Sequence, residues 1–174
     1  MIERSLNITH DIQVGHRLSL TPGLCQNIHG HSMEVTLCLF GENVDENGML
    51  FGDFRDAKKL FRAHLDKEYD HRLLLNANDP LGKVEFGLAG DRAALGDVYP
   101  GVRWVEGDPT TENIAEWIGE WAWEMFPNPH TILVSVRETK VNALTWMRSR
   151  KNVIDPALLE RLAHPTTIVG DNCT

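Results

Sequence analysis

Along residues 27–42 apolar and polar side chains alternate, with Met33, Val35, Leu37 and Leu39 on one parity and Ser32, Glu34 and Thr36 on the other. A period of two predicts a half-buried β-strand. Residues 4–20 read as a partner strand, joined to it through a turn at Thr21-Pro22-Gly23 into a long hairpin. The period then changes. Phe54, Ala57, Leu60, Phe61 and Leu65 recur at helical spacing behind Asp53, a residue suited to cap a helix start, so 54–67 is expected to be an amphipathic helix. Residues 80–108 hold glycines at 82, 87, 90, 96, 101 and 107 and no sustained period. They read as a long irregular insertion with one short helical turn near Arg92–Leu95. Pro109-Thr110-Thr111-Glu112 restarts regular structure as a helix N-terminus, and Ile114, Ile118, Trp121, Ala122 and Met125 mark one face of that helix as far as Pro127. Thr131–Glu138 and Ala143–Ser149 read as a second strand pair around a turn at Val141-Asn142.

The order strand, strand, helix, helix, strand, strand predicts a single α+β domain over residues 1–150, with an antiparallel sheet and both helices on one of its faces. Residues 151–174 read as a C-terminal extension with a short helix from Pro156. The second sheet face and the sheet edges still need covering, which predicts assembly into a larger closed sheet, a β-barrel oligomer.

Composition narrows the function classes. A chain of 174 residues with a formal net charge of −8 lacks the basic excess of a nucleic-acid-binding surface. A small anionic substrate is compatible with that charge, because local basic groups act inside an acidic protein. Three cysteines, Cys25, Cys38 and Cys173, make no paired framework and suit a reducing compartment. The first residues carry charge early and lack an apolar run suited to export, and no stretch approaches a spanning helix. The expectation is a cytoplasmic protein that works on small molecules.

The chemistry concentrates in Cys25-Gln26-Asn27-Ile28-His29-Gly30-His31. Histidines at i and i+2 share one strand face, and here they share it with the apolar residues that follow. Two neutral imidazoles on a buried face need strong partners, and a metal ion is the best one. A third nitrogen can come from the neighbouring strand, from His16 or from His10, which has the same parity. Three protein ligands leave zinc one open position, the arrangement of catalytic zinc. Cys25, four residues before His29, can turn back over such a site, where a cation would favour its thiolate. Asp70-His71 is a possible acid–base pair, although an adjacent Asp-His taken alone reads first as a solvated pair at a helix end. Glu138 closes an apolar strand. It is either a surface charge or an acceptor for two parallel N–H donors of an amino-substituted heterocycle.

Taken in order, Gly15-His16-Arg17-Leu18, the Cys25–His31 segment, Gly52-Asp53-Phe54, Asp70-His71 with Leu75-Asn76, Pro109-Thr110-Thr111-Glu112-Asn113 and Arg137-Glu138-Thr139 resemble the 6-pyruvoyltetrahydropterin synthase superfamily. The three residues between Cys25 and His29 resemble more narrowly the 6-carboxy-5,6,7,8-tetrahydropterin synthases of queuosine biosynthesis. This resemblance implies the tunnelling fold (T-fold), assembled as trimeric barrels stacked into hexamers. It implies zinc on His16, His29 and His31, catalytic roles for Cys25, Asp70 and His71, a pterin anchor at Glu138, and a ring pocket lined by Thr110 and Thr111. The reaction implied converts 7,8-dihydroneopterin triphosphate to 6-carboxytetrahydropterin, acetaldehyde and triphosphate. The alternatives are the pyruvoyl synthase reaction with the same residues, a zinc hydrolase or hydratase, and a non-catalytic pterin- or metal-binding protein. Loop 80–108 and the tail after Arg150 are additions to the family pattern, and the first strand lacks the aromatic residues common before the first zinc histidine.

Overall fold

The alternation along 27–42 forms strand β2 (His29–Gly41), paired antiparallel along its length with β1 (Arg4–His16). The structure, a computed structural model, describes residues 3–83, 85–86, 93–94 and 99–151. Both strands are shorter than the 4–20 and 27–42 expected, because the chain leaves the sheet at Arg17. The connection holds a short 3-10 turn, Leu24–Gln26. Gly15 faces Gly30 across the pair, and a Cβ on Gly30 would meet the Val14 carbonyl oxygen at 2.9 Å. The glycine between the two histidines is thus required by the close approach of the strands.

Helix α1 (Phe54–Glu68) starts as the sequence suggests. The Asp53 carboxylate accepts from the Arg55 N–H at 2.8 Å, and Asp56 lies in the first turn, where the helix dipole favours negative charge. Of the apolar face expected, Phe61 and Leu65 are buried while Phe54 and Leu60 remain exposed. Helix α2 (Thr111–Met125) buries Ile114, Ala115, Ile118 and Ala122. Gly119 lets the Trp146 ring sit against α2, since a Cβ there would fall 2.3 Å from that ring. Both helices pack on the face presented by Ile12, Val14, Met33, Val35, Leu37, Ile132, Val134 and Val136, the single core of the domain.

Around this core the sheet is larger than expected, and mixed. After α1 the chain forms β3 (Arg72–Asn76). A two-stranded hairpin follows, β4 (Glu85–Phe86) with β5 (Ala93–Ala94), then β6 (Val102–Val105), α2, β7 (Thr131–Arg137) and β8 (Ala143–Ser149). The main sheet has six strands in the order β6-β3-β1-β2-β7-β8. Strand β3 runs parallel to both β1 and β6, and α1 lies in the connection that carries the chain from the β1–β2 pair back to β3 beside β1. The wholly antiparallel four-strand expectation is corrected on that side. So is the irregular reading of 80–108, since Val102–Val105 joins the main sheet and Ala93–Ala94 is strand rather than helical turn. The short helix expected from Pro156 lies outside the described residues. Among the described residues no helix is long and apolar enough to cross a membrane.

His64 ties the two helices. Its ring stacks on Trp121 with centroids 3.8 Å apart and planes 2° from parallel, and its Nε2 is buried without a hydrogen-bond partner. Burial lowers its pKa from 6.5 to about 4. An unfolded chain therefore takes up a proton that the fold refuses, so this contribution is present above pH 6.5 and is lost as pH falls from there towards 4. His64→Phe keeps the stack and removes the titration. We expect its melting temperature to exceed the parent's at about pH 5 and to change little at about pH 8. Equal shifts at both would show that His64 carries no such cost.

Candidate active site

The register of β1 on β2 sets His16 directly opposite His29, with Val14 opposite His31. All three imidazoles project from the helix-facing side at one end of the sheet, where the core gives way to a cleft. Their ring centroids lie 4.5, 5.1 and 5.2 Å apart, and one nitrogen of each lies within 4.8 Å of the others. His10 is not among them, because its Nε2 pairs with Asp66 at 2.6 Å.

Backbone carbonyls orient two of the rings. His16 Nδ1–H donates to the Pro109 carbonyl and His29 Nδ1–H to the Asn27 carbonyl, each at 2.8 Å. In a neutral ring this leaves the lone pair on Nε2, the arrangement in which metal-ligating histidines are usually held. His16 Nε2 is buried with no hydrogen-bond partner. Burial pushes the His16 imidazole below its ordinary pKa, the Pro109 bond opposes the shift, and His29 and His31 reinforce it. A buried lone pair without a donor, grouped with two further imidazole nitrogens, is a donor set that fits a zinc-type cation with an open fourth position.

The cleft around the histidines measures about 780 Å³, and its lining includes Cys25, Thr110, Thr111, Glu112 and Glu138. Cys25 is a free, exposed thiol on the 3-10 turn. Thr110 caps α2, its Oγ accepting from the Asn113 N–H at 3.3 Å. Glu138 directly follows β7 in the turn to β8, where its N–H donates to the Asn142 carbonyl. Its carboxylate stands 3.7 Å from His31 Nε2 and 3.9 Å from His16 Nε2, beyond hydrogen-bond distance. Among the described residues the lining holds no lysine or arginine. Arg17 turns to the buried Asp79 at 3.2 Å, and Arg72 donates to the carbonyls of Lys67 and Pro100. Neither reaches the cleft.

Asp70 and His71 lie elsewhere. His71 borders a second depression of about 670 Å³, lined also by Gln13, Ser32 and Tyr99, which shares with the cleft only His29 and His31. The Asp70 carboxylate accepts from His71 Nδ1–H and from the Gln13 N–H, both at 2.7 Å. Those bonds, with the neighbouring His71 charge, outweigh burial and hold the Asp70 carboxyl below its ordinary value. His71 is largely exposed, and its φ of 55° is the one positive value at a non-glycine among the described residues. A left-handed conformation at such a residue costs energy and is held by surrounding bonds, a pattern that concentrates at functional sites.

The motifs missed part of the framework. The Pro109 carbonyl and the Asp108 carboxylate act on residues about ninety positions earlier, His16, Ser19 and Leu20. Burial would raise the Asp108 carboxyl, but bonds from Asn76, Leu20 and Ser19 hold it below its ordinary value.

A mixed sheet backed by two helices, ending in a cleft with three imidazoles that could hold a metal ion, defines an α+β protein with a candidate metal site. The family model for 6-pyruvoyl tetrahydropterin synthase matches residues 5–149, and the chain belongs to that family of pterin synthases. The 6-carboxy-5,6,7,8-tetrahydropterin synthase of Rickettsia bellii is 31% identical over 105 residues, which is 60% of this chain and 70% of the relative. A probable 6-carboxy-5,6,7,8-tetrahydropterin synthase of Halobacterium salinarum is 34% identical over 97 residues, covering 53% of this chain and 59% of the relative. Among solved structures, an uncharacterized protein from Wolinella succinogenes superposes with a TM-score of 0.66 at 21% identity, covering 87% of this chain and all of the other. A catalytic-residue mutant of Plasmodium vivax 6-pyruvoyltetrahydropterin synthase gives 0.65 at 18% identity, covering 86% and 99%. These likenesses identify the fold as the T-fold.

Proposed function

We propose that this protein is a zinc-dependent 6-carboxytetrahydropterin synthase. It would convert 7,8-dihydroneopterin triphosphate and water to 6-carboxy-5,6,7,8-tetrahydropterin, acetaldehyde and triphosphate in queuosine biosynthesis, in the cytoplasm. The observation that carries the proposal is the grouping of three imidazole nitrogens, two of them oriented by backbone carbonyls, in one cleft with Cys25 and Glu138. The curated relatives named for this product, and the three residues between Cys25 and His29, favour the carboxy reaction over the pyruvoyl one.

His16, His29 and His31 would hold the zinc, which when bound supplies Lewis acidity to the substrate's side-chain hydroxyls. Glu138 accepts paired N–H bonds from the aminopyrimidine ring, and Thr110 and Thr111 line the ring's pocket. Cys25, as thiolate, removes a proton from the side chain. His71, oriented by Asp70, returns protons to the ring and to the leaving fragment. The ring gains the two electrons that the side chain gives up, so no redox cofactor takes part.

Within one chain His71 and Cys25 line different depressions, so the proposal calls for a second copy whose Asp70-His71 segment closes over the cleft. The same copy would meet the triphosphate, since the cleft itself offers Glu112 and Glu138 and no lysine or arginine among the described residues. The open edges at β6 and β8 suit such an assembly, a trimer or hexamer. Subunit mixing tests this. Cys25→Ala and His71→Ala chains should each be inactive alone, and their mixed oligomers should regain part of the parent activity. Mixed oligomers that stay inactive would place each catalytic set within one chain and overturn the shared site.

Glu138→Gln separates anchor from ligand. Replacing one acceptor oxygen by a donor should raise the KM for the pterin about tenfold or more, with zinc content unchanged. Loss of zinc in that variant would make Glu138 a metal ligand instead, as its 3.7 Å approach to His31 permits.

A further inference from the structure

The loop that carries Cys25 has little packing of its own. Residues 20–28 are all exposed within the chain, including Leu20, Leu24 and Ile28. A catalytic thiol must nevertheless stand at a fixed place relative to three histidines that the sheet holds rigidly, so polar ties have to do what packing does not. Inside the loop one such tie returns on itself: the Leu18 N–H donates to the Cys25 carbonyl at 2.8 Å. The residues after Leu18 are held from outside by one carboxylate. Asp108 Oδ1 accepts from the Ser19 hydroxyl at 2.7 Å, and Oδ2 accepts from the Leu20 N–H at 2.7 Å.

Asp108 is itself fixed. It is 6% exposed, and the Nδ2 of Asn76, which is 2% exposed, donates to Oδ1 at 3.0 Å. Its main-chain carbonyl accepts from the Thr110 N–H at 2.8 Å and from Asn113 Nδ2 at 2.7 Å. The next residue, Pro109, presents the carbonyl that orients His16. One short segment, 108–110, therefore bonds the Cys25 loop, a histidine of the cluster and the start of α2 in a common frame.

We infer that Asp108 is a positioning residue for the reaction: its buried carboxylate, through Ser19 and Leu20, sets the height of the Cys25 thiol over the histidine cluster. The inference rests on the reading of Cys25 as the base. It distinguishes the two halves of the segment. The carboxylate acts on the thiol, whereas the Pro109 carbonyl acts on the metal-type site, so loss of the carboxylate alone misplaces Cys25 and leaves His16 oriented.

The test uses the zinc-loaded full chain. In Asp108→Asn one acceptor oxygen becomes a donor that faces either the Leu20 N–H or the Ser19 and Asn76 donors, so the loop loses part of its anchor while volume is kept. We expect kcat to fall by roughly 10- to 100-fold, the scale of a catalytic group displaced by about an ångström. KM should stay within about twofold and zinc content at the parent value. Hydrogen exchange at the Leu18 and Leu20 amides should quicken while amides of β1 and β2 keep their protection. Ser19→Ala, which removes one bond and threatens the fold less, should give a smaller loss in kcat. The double variant should lose less than the two singles combined, since both act through one contact. An unchanged kcat in Asp108→Asn would overturn the inference. So would a fall in kcat matched by losses of zinc and of protection throughout β1 and β2, which would make Asp108 a general structural residue. Near-normal turnover in Cys25→Ala would instead defeat the reading of Cys25 as base, and exchange at Leu18 and Leu20 would still show whether Asp108 holds the loop.

Discussion

Replacing His16 with alanine should release the metal as completely as replacing His29, even though the two residues stand on different strands. Each supplies one of three nitrogens grouped within 4.8 Å, and a site with two protein ligands left holds zinc far more weakly. His10→Ala is the control. His10 has the same strand parity but pairs with Asp66, so its loss should leave about one zinc per chain. Full zinc in His16→Ala together with loss in His10→Ala would show that the cluster seen at the end of the sheet is not the metal site.

Cys25→Ala should keep zinc and bind substrate, yet lose turnover by roughly 10²-fold or more, the usual scale for a positioned acid or base. The thiol is free, exposed and in the cleft with the three histidines, whereas Cys38 lies half-buried on the sheet, its thiol pushed up by burial to about 11. The two cysteines are therefore chemically distinct, and Cys38→Ala should leave turnover near the parent's. Near-normal turnover without Cys25 would remove the thiolate from the mechanism and favour water activated at the histidine site, as in a zinc hydrolase.

The parts of the fold that were legible in the sequence are those with a clean period. Strand β2 alternates along its length, so its buried parity and the side on which His29 and His31 project followed from the residues alone. The two helices announced themselves through Asp53 as a cap, through the start at Pro109-Thr110-Thr111-Glu112 and through apolar spacing. Strand β3 was not legible, because Leu73-Leu74-Leu75 has no alternation. A short apolar run is ambiguous between strand and helix, and strands inside parallel pairs read this way. Strand β6, four residues among glycines, gives too short a pattern to detect. Its place in the sheet is decided by pairing with β3, which no local signal records.

The candidate site divides along the same line. Histidines two apart on an alternating strand can be read off, and the candidates His16, Cys25, His29, His31, Thr110, Thr111 and Glu138 all line the cleft, together with Leu18, Thr21, Glu112 and residues at 139–144 that no motif marked as candidates. What spacing could not reveal is direction in the irregular segments. Arg17 follows a cluster histidine yet turns to Asp79, because the strand ends there. Asp70-His71 forms the turn before β3, and His71 lines a different depression. The bonds from Asp108 and Pro109 span about ninety residues and use a backbone carbonyl, so they leave no mark in a motif.

The most direct test of the central claim is the product made by the zinc-loaded oligomer from 7,8-dihydroneopterin triphosphate, followed by mass spectrometry with acetaldehyde and triphosphate measured alongside. Acetaldehyde and 6-carboxytetrahydropterin should appear in equal amounts with triphosphate, and a chelated sample should form neither. Triphosphate released with 6-pyruvoyltetrahydropterin and no acetaldehyde would contradict the carboxy reaction, and no conversion of the pterin at all would contradict the synthase.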